Sequence, residues 1–144
     1  MAVIEHFAPF VGAHCETTTT GTLLAHGGPR VSEPMLYGIG QGLAYGVFTF
    51  ASMPGPSIGG RPKGEVLTRT LASHLGIDVD YRQTRSAAKA WTNITDFVDA
   101  GQPVGVKLNC RYLDYFTTKV DFAGHYVAVY GYDEHRVFVI DTAQ

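Results

Sequence analysis

The sequence has few cysteines, no long apolar run and no excess of positive charge. Two cysteines in 144 residues cannot build the framework of a small disulfide-rich domain, and neither lies in a Cys-x-x-Cys pattern typical of structural zinc. The formal net charge of −2 provides no basic field for a phosphate backbone, and Gly, Tyr and His interrupt every apolar run. We therefore expect no metal, no nucleic-acid partner and no membrane span.

The N-terminus also lacks a basic segment followed by a long apolar stretch, so no secretory signal is expected. Together with the low cysteine content, this favours a cytoplasmic protein. The length fits one domain over residues 1–144 with enough chain to bury a core. Glycines 38, 40 and 42 do not match G-x-G-x-x-G and follow no clear strand, so no bound nucleotide cofactor is expected.

Hydrophobic periodicity and capping residues place helices mainly before strands. The pattern predicts helices over 15–26, 65–75 and 86–100, a helix start at 32–34, a strand or buried turn within 42–50, a loop over 53–62, and strands over 77–82, 103–108, 125–130 and 136–141. This order predicts an α+β fold with N-terminal helices packed on a largely antiparallel C-terminal sheet.

Cys15 is placed where a loop is expected to become the first helix. Free N–H groups and the helix dipole favour negative charge at such a position, and the thiolate is the reactive form of cysteine. These properties make Cys15 a candidate nucleophile. Taken alone, Cys15 fits a small buried apolar residue better than a nucleophile.

The last two strands contain a histidine and a carboxylate that can meet. If the loop is the three residues 132–134, His125 lies directly opposite Asp141, and opposed side chains are about 5 Å apart at Cβ. One β-bulge would shift this register and separate the pair. His125 as a strand histidine and Asp141 as a strand-end cap are the simpler interpretations of each residue alone. A cysteine at a helix start together with a paired histidine and acid favours a Cys-His-Asp catalytic triad.

The same order occurs in papain-like enzymes, and the chain resembles one family in more detail. Four parts of the chain are similar to the N-terminal domain family of the butirosin biosynthesis protein H acyltransferase. They are the motif His14-Cys15-Glu16-Thr17, residues 32–42 (SEPMLYGIGQG), Arg61 and residues 124–133 (GHYVAVYGYD). The hairpin alone is also similar to papain-like peptidases that cut bacteriocin leaders. The resemblance covers nearly the whole chain and implies a papain-like cysteine-protease fold.

The resemblance implies an acyltransferase of natural-product and antibiotic biosynthesis. An acyl group would arrive as a phosphopantetheine thioester on an acyl carrier protein, move to Cys15, and then form an amide with a small amine acceptor. His125 would be the base and then the acid, and Asp141 would orient it. No other cofactor is implied. Family members continue into a C-terminal region, so the chain is expected to be the N-terminal part of a longer protein.

Three further residues are candidates for substrate binding. Papain-like enzymes have a glutamine shortly before the cysteine, and this chain has none before Cys15, so His14 and Gln41 are candidates for the second oxyanion donor beside the Cys15 N–H. Glu33 is either a structural carboxylate, which we favour, or a contact for the amine.

Two other functions remain open at this stage. One is a cysteine peptidase or amidase on the same scaffold, and the other is a binding module without catalysis. The sequence does not identify the acyl group, the acceptor, the oligomeric state or the role of Cys110.

Overall fold

The computed structural model describes residues 1–49, 51–52 and 54–143. Its elements are helices and antiparallel strands, as the α+β prediction requires. The chain divides into two compact units. The first consists of Met1–Glu33 and Asp80–Gln144, and the second is Pro34–Val79.

The helices and strands follow this order along the chain: β1 (Ala2–Val3), α1 (Cys15–Gly27), α2 (Glu33–Ile39), β2 (Gly46–Phe48), β3 (Ser57–Gly59), α3 (Val66–Leu75), α4 (Ala87–Asp99), β4 (Val104–Leu108), a 3₁₀ turn (Cys110–Tyr112), β5 (His125–Tyr132) and β6 (Val137–Ile140).

Strand β5 is the centre of the sheet in the first unit. It pairs with β4 and β1 and also with β6, and every pairing is antiparallel. Its first five residues, His125 to Val129, are all buried. A strand that is covered on both faces needs a continuous apolar run, and the sequence YVAVY supplies it.

Helices α1 and α4 pack on this sheet. Ser86 caps α4, since its hydroxyl accepts the Lys89 N–H at 3.3 Å. The core beneath α4 is a cluster of Ile4, Val98 and Val129. The prediction of helices on an antiparallel sheet is therefore confirmed for this unit, and the helices predicted over 15–26 and 86–100 are confirmed as well.

The second unit contains α2 from Pro34 onward, α3 and the β2–β3 hairpin. Leu36, Leu67 and Leu71 are fully buried, which gives this unit its own small apolar centre. Gly76 ends α3 in the left-handed conformation, with φ 65°, where a side chain would be strained. The helix predicted over 65–75 is thereby confirmed.

Two element predictions in and next to the second unit need correction. The alternating segment 77–82 forms no strand, and its first N–H, that of Ile77, completes the end of α3 by bonding Ala72 O at 2.9 Å. Strand β3 lies inside the predicted loop 53–62, where Gly59 pairs with Gly46 of β2. Phe50 and Met53 belong to the predicted segments 42–50 and 53–62 but lie outside the described residues.

Across the part of the chain that the structure describes, no helix combines the length and apolar character needed to cross a bilayer.

Candidate active site

Cys15 is the first residue of α1, as the sequence predicts. His14 is the N-cap, with an extended backbone (φ −116°, ψ 126°), and its Nδ1 accepts the Thr17 N–H at 3.3 Å. A side-chain acceptor at this position satisfies one of the free N–H groups of the first turn. His14 therefore fixes where the helix begins and where the Cys15 thiol is presented.

Two threonines of α1 attach the segment that leads into the helix, residues 10–14 (the entry segment), to the helix itself. Residues 16–22 are buried, which is unusual for so polar a run. The Thr18 hydroxyl accepts the Gly12 N–H at 3.1 Å. The Thr22 hydroxyl accepts the Phe10 N–H at 3.3 Å and donates to the Phe10 carbonyl at 3.0 Å. These bonds satisfy backbone groups that would otherwise be buried without partners.

Glu33 holds the loop that leads into Cys15. Its carboxylate accepts the N–H groups of Ala13 and His14, both at 2.9 Å, and the Thr17 hydroxyl at 2.7 Å. A Cβ at Gly12 would overlap this carboxylate, so the loop approaches it as closely as glycine allows. These contacts support the structural interpretation of Glu33.

The hydrogen bonds also change the ionisation of Glu33. Desolvation, the largest single influence, raises the pKa of this carboxyl. The bonds from Ala13, Thr17 and His14, together with the charge of His14, outweigh it, so the pKa of Glu33 is below its usual value. Hydrogen bonds from backbone N–H groups favour the charged form in this way.

Replacing Glu33 by glutamine is expected to destabilise the fold by about 1–3 kcal/mol at pH 7, because an amide cannot accept all three bonds. Because the pKa of Glu33 is lowered in the fold, its contribution to the free energy of unfolding is full above the pKa of a glutamate in the unfolded chain, about 4.3. That contribution is lost as the pH falls through the folded-state pKa of Glu33. Urea unfolding of both proteins between pH 7 and pH 3 should show the stability difference shrinking below about pH 4.5. Glu134→Gln, in the exposed hairpin turn, is the control; a difference independent of pH would contradict this role of Glu33.

His125 and Asp141 form a direct pair. His125 Nε2 lies 2.7 Å from Asp141 Oδ2, and the two side chains are only 10% and 13% exposed. Asp141 Oδ1 also accepts the Thr142 N–H at 2.7 Å. Because Nε2 is used by the carboxylate, Nδ1 is the ring nitrogen that can exchange a proton with a thiol.

The register that brings this pair together differs from the predicted one. Ala128 lies opposite Ile140 and Tyr132 lies opposite Val137, with a β-bulge between Val129 and Gly131. Continued past Ile140, this register places Asp141 two residues away from the position opposite His125. The direct opposition was therefore wrong, but the pair survives, because diagonal neighbours on one face remain within reach of long side chains.

The direction of α1 sets which end of the sheet Cys15 approaches. His26, in the last turn, has its Nε2 2.8 Å from Gly101 O, just before β4. Further along, a Cβ at Gly105 would be 3.0 Å from Thr19 Cγ2. Helix α1 therefore runs antiparallel to β4, and Cys15 lies toward Leu108, the residue paired with His125.

A second contact leads to the same end of the sheet. The Ala143 N–H donates to Gly12 O at 3.0 Å. Gly12 is three residues before Cys15, and Ala143 is two residues after Asp141. The start of α1 and the acid of the His–Asp pair are thus fastened together through the backbone.

The comparisons with known proteins identify a family. The family model described as butirosin biosynthesis protein H, N-terminal, matches residues 14–142. The chain belongs to this family. The resemblance seen in the sequence is thereby confirmed, and the family takes its name from a protein of butirosin biosynthesis. No curated protein and no solved structure matches the chain.

In this member of the butirosin biosynthesis protein H N-terminal family, two aromatic residues adjoin the His–Asp pair. The Tyr115 hydroxyl donates to Asp141 Oδ2 at 2.7 Å. The Phe116 ring meets the His125 ring edge to face, with centroids 5.6 Å apart. From the sequence alone, both could line a substrate channel, but aromatic residues in such a connection are more often packing residues.

Gln41 belongs to the second unit, just after α2, with φ 51° and its N–H bonded to Gly38 O at 3.0 Å. His14 directly precedes Cys15. Within residues 1–49, 51–52 and 54–143, no group of three or more His, Cys, Asp or Glu side chains is placed to hold a metal ion.

Proposed function

We propose that the protein is a cysteine-dependent acyltransferase of natural-product biosynthesis with a papain-like domain. Cys15 would accept an acyl group from a carrier-protein thioester and pass it to an amine, forming an amide. The observation that carries the proposal is the largely buried His125–Asp141 pair at the end of the sheet to which the start of α1 is attached. Membership of a family named for an antibiotic-biosynthesis protein supports the same chemistry.

The first half-reaction loads the enzyme. His125 Nδ1 takes the proton of the Cys15 thiol, and the sulfur attacks the thioester carbonyl carbon. The tetrahedral intermediate collapses with loss of the pantetheine thiolate, which takes the proton from the imidazolium. The Cys15 N–H, which has no partner within the helix at this position, stabilises the oxyanion, and we propose His14 as the residue that supplies a second donor.

The second half-reaction releases the product. The amine nitrogen attacks the carbonyl carbon of the acyl-cysteine and loses a proton to His125. The Cys15–acyl bond breaks, and the sulfur recovers the proton from the imidazolium. The products are an amide and the free thiol, so atoms and charge balance without an oxidant or a metal. Asp141 holds the ring in one orientation and stabilises its charged form throughout.

Intact-mass analysis of the protein with a panel of acyl-pantetheine thioesters tests the proposal. The expected result is the gain of one acyl group, which is lost when an amine acceptor is added. Trypsin separates the two cysteines, because Cys15 falls in the peptide 1–30 and Cys110 in the peptide 108–111. The acyl group should therefore be found on the peptide 1–30.

Other outcomes would reject acyl transfer. Turnover of peptides by water, without an amine and without thioester loading, would indicate a cysteine peptidase. Unreactive thiols together with ligand binding that is unchanged in Cys15→Ala would indicate a binding module.

A further inference from the structure

We infer that Tyr115 is a positioning residue of the Cys15–His125–Asp141 site, acting through Asp141. The inference rests on the proposed role of these three residues, and it adds a fourth member on the connection between β4 and β5. Tyr115 would set both the orientation of the carboxylate and the share of its charge that is available to His125.

The geometry at Asp141 Oδ2 carries the inference. This single oxygen accepts the Tyr115 hydroxyl at 2.7 Å and faces His125 Nε2 at 2.7 Å. The other oxygen accepts the Thr142 N–H. Both oxygens are thus held by donors, and the carboxylate cannot rotate without breaking at least one strong bond.

The connection that carries Tyr115 is itself held in place. At its base, Asn109 Oδ1 accepts the N–H groups of Arg111 at 3.0 Å and Phe122 at 3.1 Å. The buried Cys110 donates its thiol to Val120 O at 3.3 Å. A phenol on an anchored loop loses little entropy when it bonds, so it is suited to orient a neighbour. These contacts also give Cys110 a structural role.

The hydroxyl should also adjust the strength of the His–Asp pair. A second donor on Oδ2 draws charge from the oxygen that stabilises the imidazolium. Without it, Asp141 would stabilise the protonated ring more strongly, and the thiolate–imidazolium pair would form at lower pH. Desolvation first, and then the bond to Asp141, raise the pKa of Tyr115, so the phenol stays protonated as a donor.

The test is the pH dependence of Cys15 alkylation by iodoacetamide in Tyr115→Phe, which removes only the hydroxyl. Labelling is read on the tryptic peptide 1–30. We expect the midpoint of alkylation to move to lower pH by about half a unit. Loss of the Tyr115–Asp141 bond strengthens the interaction of Asp141 with His125 by only part of the energy of that bond. The rate of acyl transfer should fall by about two- to tenfold with KM unchanged, the equivalent of one hydrogen bond.

Two controls make the result specific. Tyr112→Phe alters a tyrosine of the same connection that is 78% exposed, and its midpoint should stay at the wild-type value. In an Asp141→Asn background, Tyr115→Phe should no longer shift the midpoint of Cys15 alkylation, because the carboxylate through which Tyr115 acts has been removed.

The outcomes separate this inference from the proposed function. A shifted midpoint without acyl loading would leave the positioning role intact and reject only acyl transfer. Loading that proceeds while the Tyr115→Phe midpoint stays fixed or rises would overturn the positioning role alone. Wild-type Cys15 that does not react with iodoacetamide would also overturn it.

Discussion

Acyl loading is expected to disappear when Cys15 is replaced by alanine, with transfer falling by at least about a thousandfold. In the proposed mechanism the sulfur of Cys15 forms the covalent intermediate, and the described side chains that follow it in α1 do not replace it. Residues 16–22 of α1 are buried, and the Thr18 and Thr22 hydroxyls bond the entry segment, so these side chains are not presented as nucleophiles. Intact-mass analysis and the rate of amide formation measure the effect.

The matched control is Cys110→Ser. The serine hydroxyl can still donate to the Val120 carbonyl, which keeps the base of the β4–β5 connection intact. We expect this variant to load one acyl group as the wild type does. If Cys15→Ala were still acylated, or if the label moved to the peptide 108–111, the assignment of the nucleophile would be wrong.

Replacement of His125 by alanine should slow loading by about a thousandfold while leaving Cys15 in place. Without the imidazole, the group proposed to take the thiol proton is gone, so alkylation of Cys15 should slow as well. The variant also removes a buried partner of Asp141, although Tyr115 and Thr142 still donate to that carboxylate. A thermal melt of the variant distinguishes lost chemistry from lost folding.

His135→Ala provides the comparison for this variant. His135 lies in the exposed turn of the same β5–β6 hairpin, so the substitution removes an imidazole without touching the site. Its loading rate should match that of the wild type. Equal rates for His125→Ala and the wild type would remove His125 from the mechanism.

The elements that the sequence predicted well are those with local signals. Helix α4 has an apolar stripe and a serine cap, and α1 has a polar N-cap and a glycine end. Such features are encoded within a few residues of one another. The strand prediction over 77–82 was wrong because alternation of apolar and polar residues shows only that a strand is possible. Whether the strand pairs with another depends on residues far away in the sequence.

The candidate site was predictable only in part for the same reason. The types and order of Cys15, His125 and Asp141 pointed to a triad, but the turn between β5 and β6 is the four residues 133–136 and not 132–134, so the register that joins the last two differs from the predicted one. The Glu33 bonds to the loop before Cys15 span about twenty residues, and Tyr115 reaches Asp141 across 26. Contacts between residues so far apart in the sequence are not indicated by hydrophobic periodicity.

The three proposed catalytic residues share a position that bears on how such a protein can diversify. Cys15 opens α1, His125 opens β5 and Asp141 follows the last residue of β6. Each of these residues thus lies at or just past the end of a helix or strand, and the apolar packing involves the rest of that element. Loops next to these ends can change, and with them the donors and acceptors that are admitted, while the residues that determine the fold stay the same.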